Sequence, residues 1–136
     1  MERREFCNLL LQSKEAAKVP LKEALSYAAK LTFKKIDDIE SGLKDFNLSD
    51  ALLYLKMCHN AFEFIGYDML YVYTLEEIRD FFIAERKWRE WTVVDVARHS
   101  HVSSKILYSF EDGRCGLKID TFLKLINTFE ITLQID

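Results

Sequence analysis

The side chains with the greatest chemical potential in this chain are its three cysteines and three histidines. Cys7, Cys58 and Cys115 lie far apart and form no Cys-x-x-Cys pair, so their spacing predicts neither a zinc site nor a disulfide framework. His99 and His101 are two residues apart across the end of a predicted helix and do not share a helical face. No Gly-rich phosphate loop or paired-carboxylate motif accompanies them. We therefore expect reduced thiols and neither a metal, a cofactor nor an enzyme activity.

Composition favours a helical, water-soluble chain. The 136 residues are 49% hydrophobic, with one proline and four glycines, which favours packed helices with short connections. The formal net charge of −3 argues against a general polyanion binder, so nucleic-acid binding would need a local basic patch. No apolar run approaches the ~20 residues that cross a bilayer. We expect the protein to remain in the cytoplasm and not to enter the membrane.

The sequence also contains one internal repeat. The segments IESG (Ile39–Gly42) and FEDG (Phe110–Gly113) align at a spacing of 71 residues, the distance from Glu40 to Glu111. When the two halves are aligned at this spacing without gaps, apolar residues align with apolar residues along the whole chain. The matched pairs include Leu10 with Phe81, Leu11 with Phe82, Leu25 with Val96, Leu31 with Val102, Ile36 with Leu107 and Leu52 with Leu123. We therefore interpret the chain as two copies of one unit, which span residues 1–66 and 67–136.

Each copy predicts the same order of short helices. Apolar spacing of three and four residues places the first two helices at 5–17 and 21–29 in one copy, and at 76–88 and 92–100 in the other. A small apolar residue follows, and Thr32 or Ser103 then caps a third helix that ends at Gly42 or Gly113. A last helix is predicted to begin at the caps Ser49 and Asp120.

Three alternating segments, at 62–65, 70–74 and 131–135, predict β-strands. One strand cannot form a sheet alone, so the strand that ends the first copy should pair with the strand that ends the second. This pairing would join the copies about an approximate two-fold axis. The predicted fold class is mainly α, with two helical bundles joined by a small β-sheet.

The segment TVVDVARHSHVSSKILYSFEDG (92–113) resembles the helix-turn-helix of the XRE family, which includes the phage lambda repressor and Cro. The similar features are Val96-Ala97 in the first motif helix, Val102-Ser103 at the turn, Leu107 and Phe110 inside, and the closing Glu111–Gly113. The first copy, LKEALSYAAKLTFKKIDDIESG, carries the same skeleton at 21–42. The resemblance implies two tandem lambda-repressor-like bundles.

The same resemblance implies binding to double-stranded DNA, with the third helix of each copy in a major groove. Outward positions of these helices and the flanking cations would then touch bases or phosphates. The implied contact residues are Lys22, Thr32, Phe33, Lys34 and Lys35 in the first copy, and Arg98, Ser103, Ser104, Lys105, Tyr108 and Ser109 in the second. Because the two faces differ, we expect an asymmetric site with unlike half-sites, read by a monomer or a homodimer.

Some positions depart from the family pattern. Family members often have a phosphate-binding Gln at the start of the first motif helix, where this chain has Lys22 and Val93. Asp37 and Asp38 would bring negative charge to the duplex. These departures leave open a protein-protein interaction module, or an antitoxin-like partner of a toxin, with weak or no DNA binding.

The tryptophans Trp88 and Trp91 also leave two interpretations open. They could pack over the bundle, which we favour, or form an aromatic patch that docks a partner protein.

Overall fold

The computed structural model describes residues 1–18, 30–66 and 68–136. Within these ranges the chain forms seven helices and three strands, and no helix there is long and apolar enough to cross a membrane. The predicted mainly helical fold with a small sheet is confirmed, while the helix predicted at 21–29 lies outside the described residues. In chain order the elements are α1 (Arg3–Ala16), α2 (Phe33–Ser41), α3 (Leu48–Met57), β1 (Phe62–Ile65), β2 (Met69–Val72), α4 (Leu75–Trp88), α5 (Val93–Ser100), α6 (Ser104–Glu111), α7 (Ile119–Thr128) and β3 (Thr132–Ile135).

The three strands form an antiparallel sheet in the order β2-β1-β3. The strand predicted at 62–65 is confirmed, and that at 131–135 begins one residue later than predicted. The strand predicted at 70–74 instead ends at Val72. The reason is that the backbone N–H groups of Tyr73 and Thr74 both donate to the carboxylate of Glu77, each at 3.2 Å. The chain therefore leaves the sheet to build the N-terminal cap of α4.

The two halves of the chain exchange backbone hydrogen bonds with each other. The N–H of Leu48 donates to the carbonyl of Leu117, and the N–H of Ile119 donates to the carbonyl of Phe46, both at 2.8 Å. These bonds flank the bridge between Asn47 and Lys118. Since Asn47 and Lys118 are themselves 71 positions apart, the exchange is reciprocal in the manner of a two-fold axis.

The pairing of β1 with β3 is symmetric about the same pseudo-two-fold axis. The axis passes through the pair of Glu63 with Gln134, which are again 71 positions apart. The sheet and the Asn47–Lys118 bridge therefore define two points on one pseudo-two-fold axis. No part of this pairing is available to either half alone.

Backbone conformation repeats at the spacing of 71 as well. Left-handed residues occur in matching pairs, with φ of 58° and 59° at Lys30 and His101, and 57° and 53° at His59 and Glu130. Gly42 and Gly113 form a third pair at 67° and 76°, where glycine avoids the steric cost of positive φ. Gly42 is the left-handed C-cap of α2, as predicted.

The first helices follow a different spacing, which corrects the predicted alignment. The left-handed residues that close α1 and α4 are Lys18 and Glu90, which are 72 positions apart. The buried residues of α1 and α4 also align at a spacing of 72 residues. This spacing pairs Phe6 with Ile78, Leu10 with Phe82, and Ser13 with Glu85. The predicted pairs Leu10/Phe81 and Leu11/Phe82 are thus wrong by one residue. The cause is one more residue between Lys18 and Lys30 than between Glu90 and His101.

The predicted caps Ser49 and Asp120 are also wrong. The N-caps of α3 and α7 lie two residues earlier, at Asn47 and Lys118, and neither forms a side-chain capping hydrogen bond. The exchanged bonds between the two halves fix the entry of the chain here, so a local cap is not needed. The carboxylate of Asp120 instead receives two hydrogen bonds from Arg3, at 2.8 and 2.6 Å, and this contact lowers the pKa of Asp120.

The buried apolar residues form one cluster that includes both halves of the chain. Its centre is the ring of Phe122 on α7, which is fully buried. The neighbouring ring centroids lie 5.9 to 6.0 Å from it and belong to both halves, namely Phe6, Phe62, Phe64 and Phe82. A shared core of this kind predicts that the halves unfold together.

We predict that Phe122→Ala lowers the free energy of unfolding by about 3–5 kcal/mol, the cost of a cavity at a buried aromatic. Urea denaturation followed by circular dichroism measures this change, and both proteins should show one cooperative transition. The control is Leu43→Ala, at a side chain that is 68% exposed, with an expected change within ~0.5 kcal/mol. Two separate transitions in the wild-type protein would contradict the shared core.

Candidate nucleic-acid interface

The helix pair α5–α6 is held by a short network at its turn. Helix α5 ends at the left-handed His101, and the next residue, Val102, is buried. The hydroxyl of Ser100 donates to the carbonyl of Val96 at 2.7 Å and accepts from the N–H of Val102 at 3.2 Å. The turn therefore fixes the angle between α5 and α6 through buried contacts.

A capping box begins α5. The side chain of Thr92 accepts from the N–H of Asp95 at 3.1 Å, and the Asp95 carboxylate accepts from the N–H of Thr92 at 2.9 Å. These bonds lower the pKa of Asp95, the bond from the Thr92 backbone contributing most. Ser103 stands at the N-cap of α6 as predicted, but its side chain forms no capping hydrogen bond.

The inner face of α6 is anchored from α4. Leu107 and Phe110 are buried, and Arg79 donates to the carbonyl of Phe110 at 2.7 Å while its guanidinium lies over the Phe110 ring. Arg86 binds the Glu111 carboxylate with two hydrogen bonds of 2.9 and 2.8 Å, an arrangement with strong directional preference. These contacts leave the opposite face of α6 toward solvent.

The first half repeats this anchor. Lys14, which corresponds to Arg86 at the spacing of 72, forms a 2.5 Å ion pair with Glu40, and the Tyr54 hydroxyl donates to the same carboxylate at 2.8 Å. Glu40 and Glu111 therefore both bond within the helical bundle.

The outer face of α6 presents Lys105 and Tyr108, the latter 48% exposed. Ser103 is also exposed, whereas Ser104 and Ser109 are half-buried. The first turn of α6 contains no acidic residue. Five of the six contact residues predicted in the second copy thus lie on α6 or at its N-cap, and Lys105 supplies their positive charge.

The outer face of α2 is different. The Thr32 side chain caps α2 by accepting from the N–H of Lys35 at 3.2 Å, as predicted. Phe33 is 48% exposed and Lys34 is exposed beside it. The ammonium group of Lys35 lies 3.5 Å from the carboxylate of Asp50, so this lysine is partly neutralised within the protein.

The remaining predicted positions precede α2 and α6 in the chain, and those that the structure describes differ in exposure. Arg98 is exposed, with its guanidinium 3.8 Å from Asp95. Val93 is buried. Lys22 lies outside the described residues.

Two further lysines were missed by the sequence reasoning. Lys44 and Lys118 are exposed in the loops that follow α2 and α6. Lys118 belongs to the bridge with Asn47, so these loops bring positive charge to the pseudo-two-fold axis. The sequence feature that could have identified them is a basic residue a few positions after Gly42 and after Gly113. Arg114, in the second loop, forms a 2.8 Å ion pair with Asp112.

The tryptophans contribute unequally to the surface. Trp91 is partly buried, stacks on the ring of His99 with centroids 4.4 Å apart, and packs against Phe129. Its position agrees with the packing interpretation, and its ring partner His99 lies on α5. Trp88 ends α4 and is exposed, with the guanidinium of Arg89 over its ring.

The remaining reactive groups are dispersed. Cys7, Cys58 and Cys115 are free thiols, and burial raises the pKa of Cys7 to about 11, which makes it a poor nucleophile. Among the described residues, no three His, Cys, Asp or Glu side chains converge as metal ligands.

No family model, curated protein or solved structure matches the chain. The functional interpretation therefore depends on the surface just described. That surface contains two outward helix faces in equivalent positions about the pseudo-two-fold axis, with lysines near the axis.

The capping box yields a prediction with an internal control. Thr92→Ala should raise the pKa of Asp95 part of the way to its usual value and lower the free energy of unfolding at pH 7 by about 1 kcal/mol. Because the folded-state pKa of Asp95 is depressed, its stabilisation is present above the unfolded pKa and is lost as the pH falls through the folded value. Carbon-13 NMR titration and urea denaturation measure the two effects.

The matched control is Ser103→Ala, because Ser103 occupies the same helix position without a capping bond. We expect a change within ~0.5 kcal/mol there. Equal losses from the two substitutions would contradict the described capping geometry.

Proposed function

We propose that this protein is a DNA-binding transcriptional regulator in which two unequal helix-turn-helix units act as an intramolecular pseudo-dimer. The observation that carries the proposal is the equivalence of α2 and α6 about the pseudo-two-fold axis, each with its outer face toward solvent. Tandem lambda-repressor-like bundles, as implied by the sequence resemblance, would have this arrangement. A dimer of such units places two helices in successive major grooves, about 34 Å apart along the duplex.

In this proposal the N-terminal part of each helix contacts base edges. Lys105 is the main candidate in α6, because a lysine can donate to the guanine acceptors in the major groove. Ser104 and Tyr108 lie on either side of it. The corresponding positions of α2 are Phe33, Lys34 and Asp37. The two helices therefore present different side chains to their half-sites.

Phosphate contacts would come from cations outside the helices. Lys44 and Lys118 lie in the loops near the axis, where they would face the backbone between the two grooves. Arg98 on α5 is exposed and would add a further cation. Such contacts position the protein without reading sequence, and they make affinity fall steeply with salt.

We predict that the wild-type protein binds a generic duplex at low salt and that Lys105→Ala weakens this binding. Removing one phosphate or base contact should cost about 1–3 kcal/mol, or reduce the salt slope by about one unit if the contact is ionic. Fluorescence anisotropy of a labelled duplex over a series of salt concentrations measures both. Lys56→Ala is the control, because Lys56 lies near β2, away from the proposed interface.

Failure of the wild-type protein to bind any duplex at low salt would contradict the proposal. An equal loss from Lys56→Ala would place the interaction outside α6.

The difference between the helix faces predicts the form of the operator. Selection from random duplexes should recover two unlike half-sites, because Lys34 and Phe33 meet one and Lys105 and Tyr108 meet the other. Recovery of a perfect inverted repeat would contradict the model of two unequal units.

A second candidate function is a protein-protein interaction module. It is favoured by the exposed apolar side chains of Phe33, Ile106 and Tyr108 on the same helices, and by the acidic Asp37 and Asp38. An antitoxin-like role, with a toxin as the partner, is one form of this alternative. Absence of DNA binding combined with full stability would favour it.

A further inference from the structure

The first turn of α2 has an aromatic side chain where the equivalent turn of α6 has a serine. Phe33 is the first residue of α2 and is 48% exposed. The residue 71 positions later is Ser104, the first residue of α6, which is half-buried. Ile36 and Ile39 supply the fully buried face of α2, and Phe33 lies outside that face.

The charge of α2 does not favour contact with a negatively charged duplex. The helix contains two lysines and three acidic residues. One of the lysines, Lys35, lies 3.5 Å from Asp50, and one of the acidic residues, Glu40, pairs with Lys14. The other charges of the helix are one lysine and two aspartates. Attraction to phosphate is therefore weak at α2, so a contact that needs no charge gains importance there.

Phe33 is placed to supply such a contact. The apolar group that base pairs display in the major groove is the C5-methyl of thymine, and a phenyl ring packs against it. The N-terminal residues of a helix in the groove reach the base edges, and Phe33 and Ser104 hold that position in α2 and α6. A serine hydroxyl bonds to donors or acceptors on any base pair and gives little discrimination.

We propose that Phe33 is a specificity-determining residue, which contacts the C5-methyl group of one thymine in the half-site of α2. This inference rests on the proposed DNA-binding function. Lys34 and Lys105, at the next position of each helix, are the same residue and so do not distinguish the two half-sites. The half-site of α6 should accordingly have no requirement for thymine at the position that faces Ser104.

A duplex recovered by selection from random sequences provides the test. Each thymine of that duplex is replaced in turn by deoxyuridine, which pairs with adenine in the same way but lacks the methyl group. Fluorescence anisotropy of the wild-type protein should show a loss of affinity of about 4-fold at one thymine in one half-site, the factor that corresponds to burial of one methyl group.

The variant Phe33→Ser carries the side chain that α6 has at the equivalent position. Its affinity should no longer depend on the methyl group, so the thymine and uracil duplexes should bind equally. The slope of its affinity against salt should keep the wild-type value, because no ionic contact is removed. Met69→Ser, at a 58% exposed apolar side chain of β2, is the control and should retain the wild-type loss of about 4-fold.

Two results would overturn the role of Phe33 while the DNA-binding function stands. One is a bound duplex in which no replacement of thymine by uracil weakens binding. The other is a Phe33→Ser variant that keeps the wild-type sensitivity at the same thymine, and either result would assign the exposed ring to contact with another molecule, such as a partner protein. If the wild-type protein binds no duplex at low salt, the DNA-binding function itself fails, and this inference fails with it.

Discussion

The structure depends on backbone hydrogen bonds that each half of the chain can form only with the other half. Strand β1 has its central position because β3 arrives from the end of the second half. The reciprocal bonds at the Asn47–Lys118 bridge fix the start of α3 and of α7 in the same way. Buried backbone groups must find partners, so neither half can close its own core without exposing unpaired groups. The shared aromatic cluster around Phe122 follows from this constraint.

The same constraint gives the proposed function its geometry. Two separate chains would have to overcome an association cost of several kcal/mol before they could present two helices at a fixed separation. Here α2 and α6 are fixed by folding itself. Their faces are free to differ because they are not copies of one sequence, as the equivalent residues Ser104 and Phe33 show. The polar contacts differ also: Arg3 binds Asp120, whereas Leu75 and Ser49 stand at the equivalent positions.

Patterns that depend on local chemistry were predictable from the sequence. The alternation of Phe62–Ile65, the cap at Thr32 and the left-handed Gly42 each reflect a residue acting on its own neighbours, and the structure confirms them. The starts of α3 and α7 were not predictable, because bonds between the halves replace a side-chain cap. The offset of α1 was missed since one extra residue between Lys18 and Lys30 leaves no mark on helical periodicity. At the candidate interface, exposure of Lys105 and Tyr108 followed from helical spacing. The involvement of Lys35 with Asp50, and the approach of Lys118 to the axis, required the tertiary fold.

Native-state hydrogen exchange of the Leu48 and Ile119 amides tests the dependence of each half on the other most directly. Each amide donates to a carbonyl of the opposite half, so neither can open while the halves remain joined. Both amides should exchange only through global unfolding, with equal free energies of opening that match the value from denaturation. Exchange of either amide at a clearly lower free energy of opening, with its own half still folded, would contradict the dependence of each half on the other.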